Sequence, residues 1–261
     1  MTYPHLIKFV EIVQKLRSPD GCPWDKEQTH DSLKQYLVEE TYEALDAIDE
    51  KDNEHLKEEL GDVLLQVFLH AQIAKDDGNF DIEDIAREIG EKMIRRHPHV
   101  FGDTKVKDAE QVLKNWEEIK SAEKAAKGNL DPSILDSIPH SFPALFETHK
   151  ISKKVAKLGF EWKEPKDVFN KVNEEIEEVK QAYKEGDEAH LQEELGDLLF
   201  TVANLCRVFK VNPELCLKQA NKKFKKRFGK MEVIVKEEEM KLDKLSFDEW
   251  NQLWERVKQV C

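Results

Sequence analysis

The chain has 261 residues and a formal net charge of −13, which argues against a general nucleic-acid binder while leaving room for a small anionic ligand bridged by cations. With 36% charged and 39% hydrophobic residues but only 10 Gly and 9 Pro, it fits a soluble, helix-rich protein of two domains better than a sheet protein. Four cysteines without Cys-x-x-Cys spacing, no apolar run near about 18 residues and no signal-peptide layout at the start lead us to expect a cytoplasmic protein without membrane contact.

Taken in order, His5 to Arg17 reads as an amphipathic helix with Leu6, Phe9, Val10, Val13 and Leu16 at helical spacing. Ser18-Pro19-Asp20-Gly21 forces a turn, and Cys22 to His30 reads as a polar loop carrying Trp24. Thr29 or Asp31 is the expected cap of a helix from Ser32 to Glu50. On that helix Leu33, Leu37, Ala44 and Ile48 make one stripe, and Tyr36, Glu40, Glu43 and Ala47 the next. A turn at Lys51-Asp52-Asn53 leads to a helix from Glu54 to Lys75. Leu60, Val63, Leu64 and Val67 line one side of it; Leu65, Leu69 and Ile73, with Asp62, line the opposite one. Apolar on two sides, this helix is expected to be buried between neighbours. A helix from Ile82 to Arg96 ends in the cationic group Lys92, Arg95 and Arg96, and Ala109 to Ala125 forms another.

A Gly- and Pro-bearing stretch at 127–142 then separates a first helical domain, 1–126, from a second, 143–261. The second repeats the first. Glu40, Glu43, Glu59 and Asp62 recur as Glu175, Glu178, Glu194 and Asp197, all at one constant offset. Trp116-Glu117-Glu118-Ile119-Lys120 is echoed by Trp254-Glu255-Arg256-Val257-Lys258, and Ser246 to Glu249 fits a capping box before the last helix. The fold class expected is therefore all-α, two duplicated helical bundles.

Acid pairs on helices are usually solvated faces. Here the spacing within each pair is i, i+3, so both carboxylates share a surface, and the neighbouring apolar stripes turn that surface inward. Four acids converging between two helices repel unless a cation sits among them, and all-oxygen ligation points to Mg²⁺ or Mn²⁺ rather than zinc. Asn221, Lys223, Lys226 and Arg227 supply a cationic stretch, with Lys223 and Arg227 on one face at i, i+4. Carboxylate-held Mg²⁺ with Lys and Arg nearby is the apparatus of phosphate chemistry, and no Gly-x-x-x-x-Gly-Lys loop is present. Trp24, Trp162 and Trp254 are candidate platforms for a base, each also a plain core candidate.

The twice-written Glu-Glu-x-x-Glu then Glu-x-x-Asp, with Cys-Pro-Trp-Asp-Lys-Glu-Gln-Thr-His at 22–30, Arg-Arg-His-Pro-His-Val-Phe at 95–101, Leu-Gly-Phe-Glu-Trp at 158–162 and the lysine-rich 221–228, resembles the MazG family of all-α nucleoside triphosphate pyrophosphohydrolases. The resemblance implies Mg²⁺-dependent hydrolysis of NTPs and dNTPs to monophosphate and pyrophosphate in a homodimer. It implies that Glu175, Glu178, Glu194 and Asp197 hold the metal, as do Glu40, Glu43, Glu59 and Asp62 if the first copy is competent. Lys223 and Arg227 would take phosphate oxygens, and Trp162 or Trp254 the base. Glu174 and Glu193 are candidates to orient the attacking water. Where the second copy has Lys226-Arg227-Phe228-Gly229, the first has Arg95-Arg96-His97-Pro98, which sets its substrate binding apart. Two other readings remain: a non-catalytic nucleotide-binding or scaffolding module, and a di-iron carboxylate bundle, for which His55 and His190 are the only histidines suitably near the acids.

Overall fold

The computed structural model describes residues 2–126 and 133–259, and among these it is helical without a strand. The chain divides into two compact units, Met1–Asn129 and Leu130–Cys261. Residues 127–132 of the expected linker lie outside the described residues; its remainder holds a 3-10 turn, Ile134–Ser137. No described helix is long and apolar enough to cross a membrane.

The first unit runs α1 (Pro4–Arg17), α2 (Pro23–Glu27), α3 (Lys34–Glu50), α4 (Asn53–Asp76), α5 (Ile82–Arg96), α6 (Pro98–Phe101) and α7 (Ala109–Ala126). Its core is Val13, Leu33, Phe68, Leu69 and Ile73, with Phe9, Val10, Tyr36, Leu65 and Ile82 packed against it. The stretch expected as a polar loop contains α2, because Pro23 starts a turn that needs no N–H there. Arg17 pins it, donating to the Asp25 carbonyl and, at 3.2 Å, to that of Gln28, while its Nε reaches Asp76 at 2.9 Å. Gly21 is required in the turn before it, since a Cβ there would collide with the carbonyls of Lys15 and Leu16. Neither expected residue caps α3. Thr29 instead accepts the Ser32 N–H at 3.1 Å, and Asp31 pairs with Lys34 at 2.5 Å.

The second unit runs α8 (Ala144–Ala156), α9 (Pro165–Glu185), α10 (Glu188–Val208), α11 (Pro213–Glu237), a 3-10 turn at Leu242–Lys244 and α12 (Phe247–Lys258). Ser246 and Glu249 form the capping box that starts α12. Met231, Val235, Leu253 and Val257 make a core between α11 and α12, and α8 packs on α10.

Each unit is built on one antiparallel hairpin, α3 with α4 and α9 with α10. The turns are near copies. A left-handed residue ends the first helix, Lys51 (φ 58°) or Gly186 (φ 72°). An Asp then caps the next: Asp52 accepts the N–H groups of Glu54 and His55, and Asp187 those of Ala189 and His190, all at 3.0–3.2 Å. Such a cap is worth about 1 kcal/mol. With two-residue turns, the acids about ten residues to either side must face each other across the hairpin.

Burial of α4 differs from expectation. Leu69 and Ile73 are buried and Leu65 packs beside them, but Leu60 and Leu64 on the other side are exposed. Their counterparts Leu195 and Leu199 are exposed too, at 44% and 61%. One unit has only enough helices to cover one side of its hairpin.

Candidate active site

In the first hairpin Glu40, Glu43 and Glu59 each offer a carboxylate oxygen, and these oxygens lie within 4.8 Å of one another. Burial raises the Glu40 carboxyl above its ordinary range, and Asp62, Glu43 and Glu59 push it further. Glu59 is buried; His55 Nε2 lies 3.0 Å from its Oε1, and its Oε2 is buried with no partner. A carboxylate oxygen cut off from both water and donors is costly, and a hard cation among these oxygens removes the cost. Oxygen-only donors, mutual repulsion and one orphaned oxygen together fit Mg²⁺ or Mn²⁺.

The second hairpin groups a different three of its four acids, Glu175, Glu194 and Asp197, again within 4.8 Å; Asp62 in the first hairpin and Glu178 in the second stand outside these groups. Glu175 is buried and accepts the Thr201 hydroxyl at 3.4 Å. His190 Nε2 lies 3.0 Å from Glu194, as His55 lies from Glu59. Each histidine contacts one carboxylate of its triad, and neither is itself a member of the triad.

Lys171 is one difference between the two sites. Lys171 lies one turn before Glu175, where the first copy has Tyr36. Its ammonium is 2.7 Å from Glu174, 2.9 Å from Glu175 and 3.9 Å from Glu178. Glu174 and then Glu175 raise its pKa, so it is fixed as a cation. Burial pushes the Glu178 carboxyl up, Lys171 pulls it back, and Glu175 adds to the rise. Sequence reading passed over Lys171, although its i, i+4 spacing from Glu175 was the signal. Of the two spare acids, Glu174 is held by Lys171, while Glu193 is exposed.

The cationic and aromatic residues form a second cluster in each unit. Arg227 lies over the Trp254 ring at 5.7 Å, its Nε buried without a partner, and Phe224 packs on the same ring at 5.2 Å. Asn221, Lys223 and Lys226 are exposed on the same helix. In the first unit Arg96 likewise lies over Trp116, at 6.0 Å, but Glu123 takes it with two hydrogen bonds of 3.1 and 2.6 Å. Arg95 binds the same carboxylate at 3.3 Å, and Lys92 is half-buried one turn earlier. Among the described residues, no hydrogen bond or ion pair joins Lys223 or Arg227 to the acids. Trp24 is half-exposed, edge-on to Tyr36 at 5.8 Å, and Trp162 lines a cavity at the far end of the second hairpin.

The MazG nucleotide pyrophosphohydrolase domain matches this chain twice, over residues 28–101 and 163–231, each stretch enclosing one acid cluster. The chain belongs to the MazG family.

Full-length relatives agree. The nucleoside triphosphate pyrophosphohydrolase/pyrophosphatase MazG of Thermotoga maritima is 47% identical over 96% of this chain and 94% of its own length. A nucleoside triphosphate pyrophosphohydrolase of Escherichia coli K12 is 44% identical over 96% of both chains. The protein YabN of Bacillus subtilis is 48% identical over all of this chain, which spans 53% of YabN. In this MazG-family chain the two matched segments contain every acid of both clusters and the cations on α5 and α11. Trp24, Trp162 and Trp254 fall outside them.

Proposed function

We propose that this chain hydrolyses nucleoside triphosphates, both ribo- and deoxyribonucleotides, to nucleoside monophosphate and pyrophosphate, with Mg²⁺ as cofactor and Mn²⁺ able to replace it. The observation that carries this reading is a carboxylate triad in each hairpin, with an orphaned oxygen in one copy and a lysine in the other. Glu175, Glu178, Glu194 and Asp197 would hold the metal of the second copy, and Glu40, Glu43, Glu59 and Asp62 that of the first. A divalent ion at such a site neutralises phosphate charge and lowers the pKa of a bound water. The chain's own residues do the rest. Lys171 balances the acids, and Arg227, held over Trp254, offers guanidinium N–H groups to phosphate oxygens beside an aromatic face for the base. Lys223 adds a second cation on that face. Glu193 would orient the attacking water, since Glu174 is already paired with Lys171.

Turnover belongs to the second copy in this reading. In the first, Glu123 already occupies the arginines, so that copy holds metal without gripping a triphosphate. The exposed leucines Leu60, Leu64, Leu195 and Leu199 support a homodimer in which a second chain covers them. The free thiols Cys22, Cys206 and Cys216 support a cytoplasmic location. Phosphorus NMR of an NTP incubation tests the activity: pyrophosphate and monophosphate should appear with Mg²⁺ and not with EDTA. Diphosphate with orthophosphate would refute it.

A further inference from the structure

The second unit has a cavity of about 540 Å³ where α8, the loop before α9 and the end of α10 meet, a size usual for small-ligand sites. It is lined by His149 and Lys153 of α8, Trp162 of the loop, Arg207 of α10, and Lys210 and Asn212 beyond it. The acids lie elsewhere along the same helices. Pro165 precedes Glu175 by ten positions and Arg207 follows Asp197 by ten, about 15 Å along either helix.

The first unit shows what the same place looks like when it is only structure. Its α1 packs on α4 as α8 packs on α10, and each of these outer helices has one buried residue, Val13 or Ser152. Setting those two in register places His149 against Val10 and Lys153 against Gln14. The hairpin repeat places Arg207 against Gln72 and Lys210 against Lys75, and the next helix's cap places Asn212 against Asp81. In the first unit this position is packed down to about 10 Å³, room for no more than a water. Lys75 there is satisfied by Asp81, 3.5 Å away. From the first copy to the second, two neutral residues become Lys and Arg, an apolar one becomes His, and an acid becomes its amide. Lys153 and Arg207 each add a positive charge and Asn212 removes a negative one, while His149 adds a ring nitrogen without charge and Glu161 and Glu164 join the lining, in a chain whose net charge is −13.

The acids around the cavity are already matched. Glu161 takes Arg207 in two bonds of 2.6 and 2.7 Å, and Glu164 pairs with Lys166 at 2.7 Å. That leaves the ammonium groups of Lys153 and Lys210 without a carboxylate among the described residues, and His149 Nδ1 buried with no partner. Burial, with Lys153 and Lys150, lowers the His149 pKa and keeps the ring neutral. Trp162 is 40% exposed at the cavity wall.

We infer that this cavity is a separate binding site for a phosphorylated nucleoside, its ring system against Trp162 and its phosphate on Lys153 and Lys210. The site is independent of the acid cluster and of whether that cluster hydrolyses anything. Full-length protein in EDTA, titrated with AMP by calorimetry and Trp fluorescence, tests it. AMP should bind saturably and quench fluorescence, while adenosine and inorganic phosphate each bind at least tenfold more weakly. Lys153→Gln with Lys210→Gln, both at exposed positions, should weaken AMP at least tenfold. Trp162→Phe should remove the quench, and Glu175→Gln should change neither signal. No AMP binding at millimolar concentration, or binding indifferent to the lysine pair, overturns the inference. So does loss of binding in Glu175→Gln, which would make the cavity the base end of the hydrolytic site. Inorganic phosphate matching AMP would likewise overturn it, as a plain anion site.

Discussion

The two hairpins each carry the same four acids in the same register, yet their surroundings differ at two points. In the second, Lys171 enters the acid cluster and Arg227 lies over its tryptophan with an unpartnered Nε. In the first, Tyr36 replaces the lysine, and Glu123 closes on Arg95 and Arg96. In the function proposed above, duplicated ligands alone do not make duplicated sites. A carboxylate cluster can hold a cation in either copy, but a triphosphate also needs cations whose donors are not already spent on the protein.

The largest expected effect breaks the comparison at the acids. Glu175→Gln should lower kcat at least a hundredfold, and Glu40→Gln less than threefold, in steady-state pyrophosphate release; similar losses from both would dissolve the assignment. Next come the arginines. Arg227→Gln should raise KM for an NTP at least tenfold, because a charge-assisted grip on phosphate is lost. Arg96→Gln should leave KM within a factor of two, a result contradicted if both variants shift alike. Third, Lys171→Met should lower the Tm of metal-free protein more than that of Mn²⁺-loaded protein, since the lysine is the ammonium paired with the buried Glu175. Equal shifts by calorimetry would show that it does not serve as counter-ion. The smallest effect concerns Glu123. Arg96, then Arg95, hold its carboxyl below the usual range against the opposing effect of burial. A lowered folded-state value contributes stability above the ordinary carboxylate pKa that fades as pH falls through the lowered one. Melting curves from pH 7 down to pH 3 should thus show wild type losing its small advantage over Glu123→Gln. An advantage that grows with acid would reverse the sign and the explanation.

Much of this was legible in the sequence because the chain repeats itself. Helical spacing located both hairpins, and a helix from Ile82 to Arg96 is found with those bounds. The acid groups were legible because i, i+3 pairs beside apolar stripes are written twice in the same register. Contacts between segments far apart in sequence were not legible. Glu123 meets Arg96 from a separate helix, and nothing near either residue announces it. Lys153 joins Trp162 and Lys210 only because α8 packs on α10. The exposure of Leu60 and Leu64 was misjudged for a related reason: periodicity shows that a face is apolar, not whether the covering surface comes from the same chain.

The central claim is that both hairpins hold divalent cations and only the second turns over substrate. Mn²⁺ titration by electron paramagnetic resonance, with pyrophosphate release measured on the same samples, addresses it directly. Glu175→Gln and Glu40→Gln should each lose bound Mn²⁺ relative to wild type, while only Glu175→Gln loses turnover. Unchanged Mn²⁺ binding in both variants, or turnover lost with Glu40→Gln, would contradict the account.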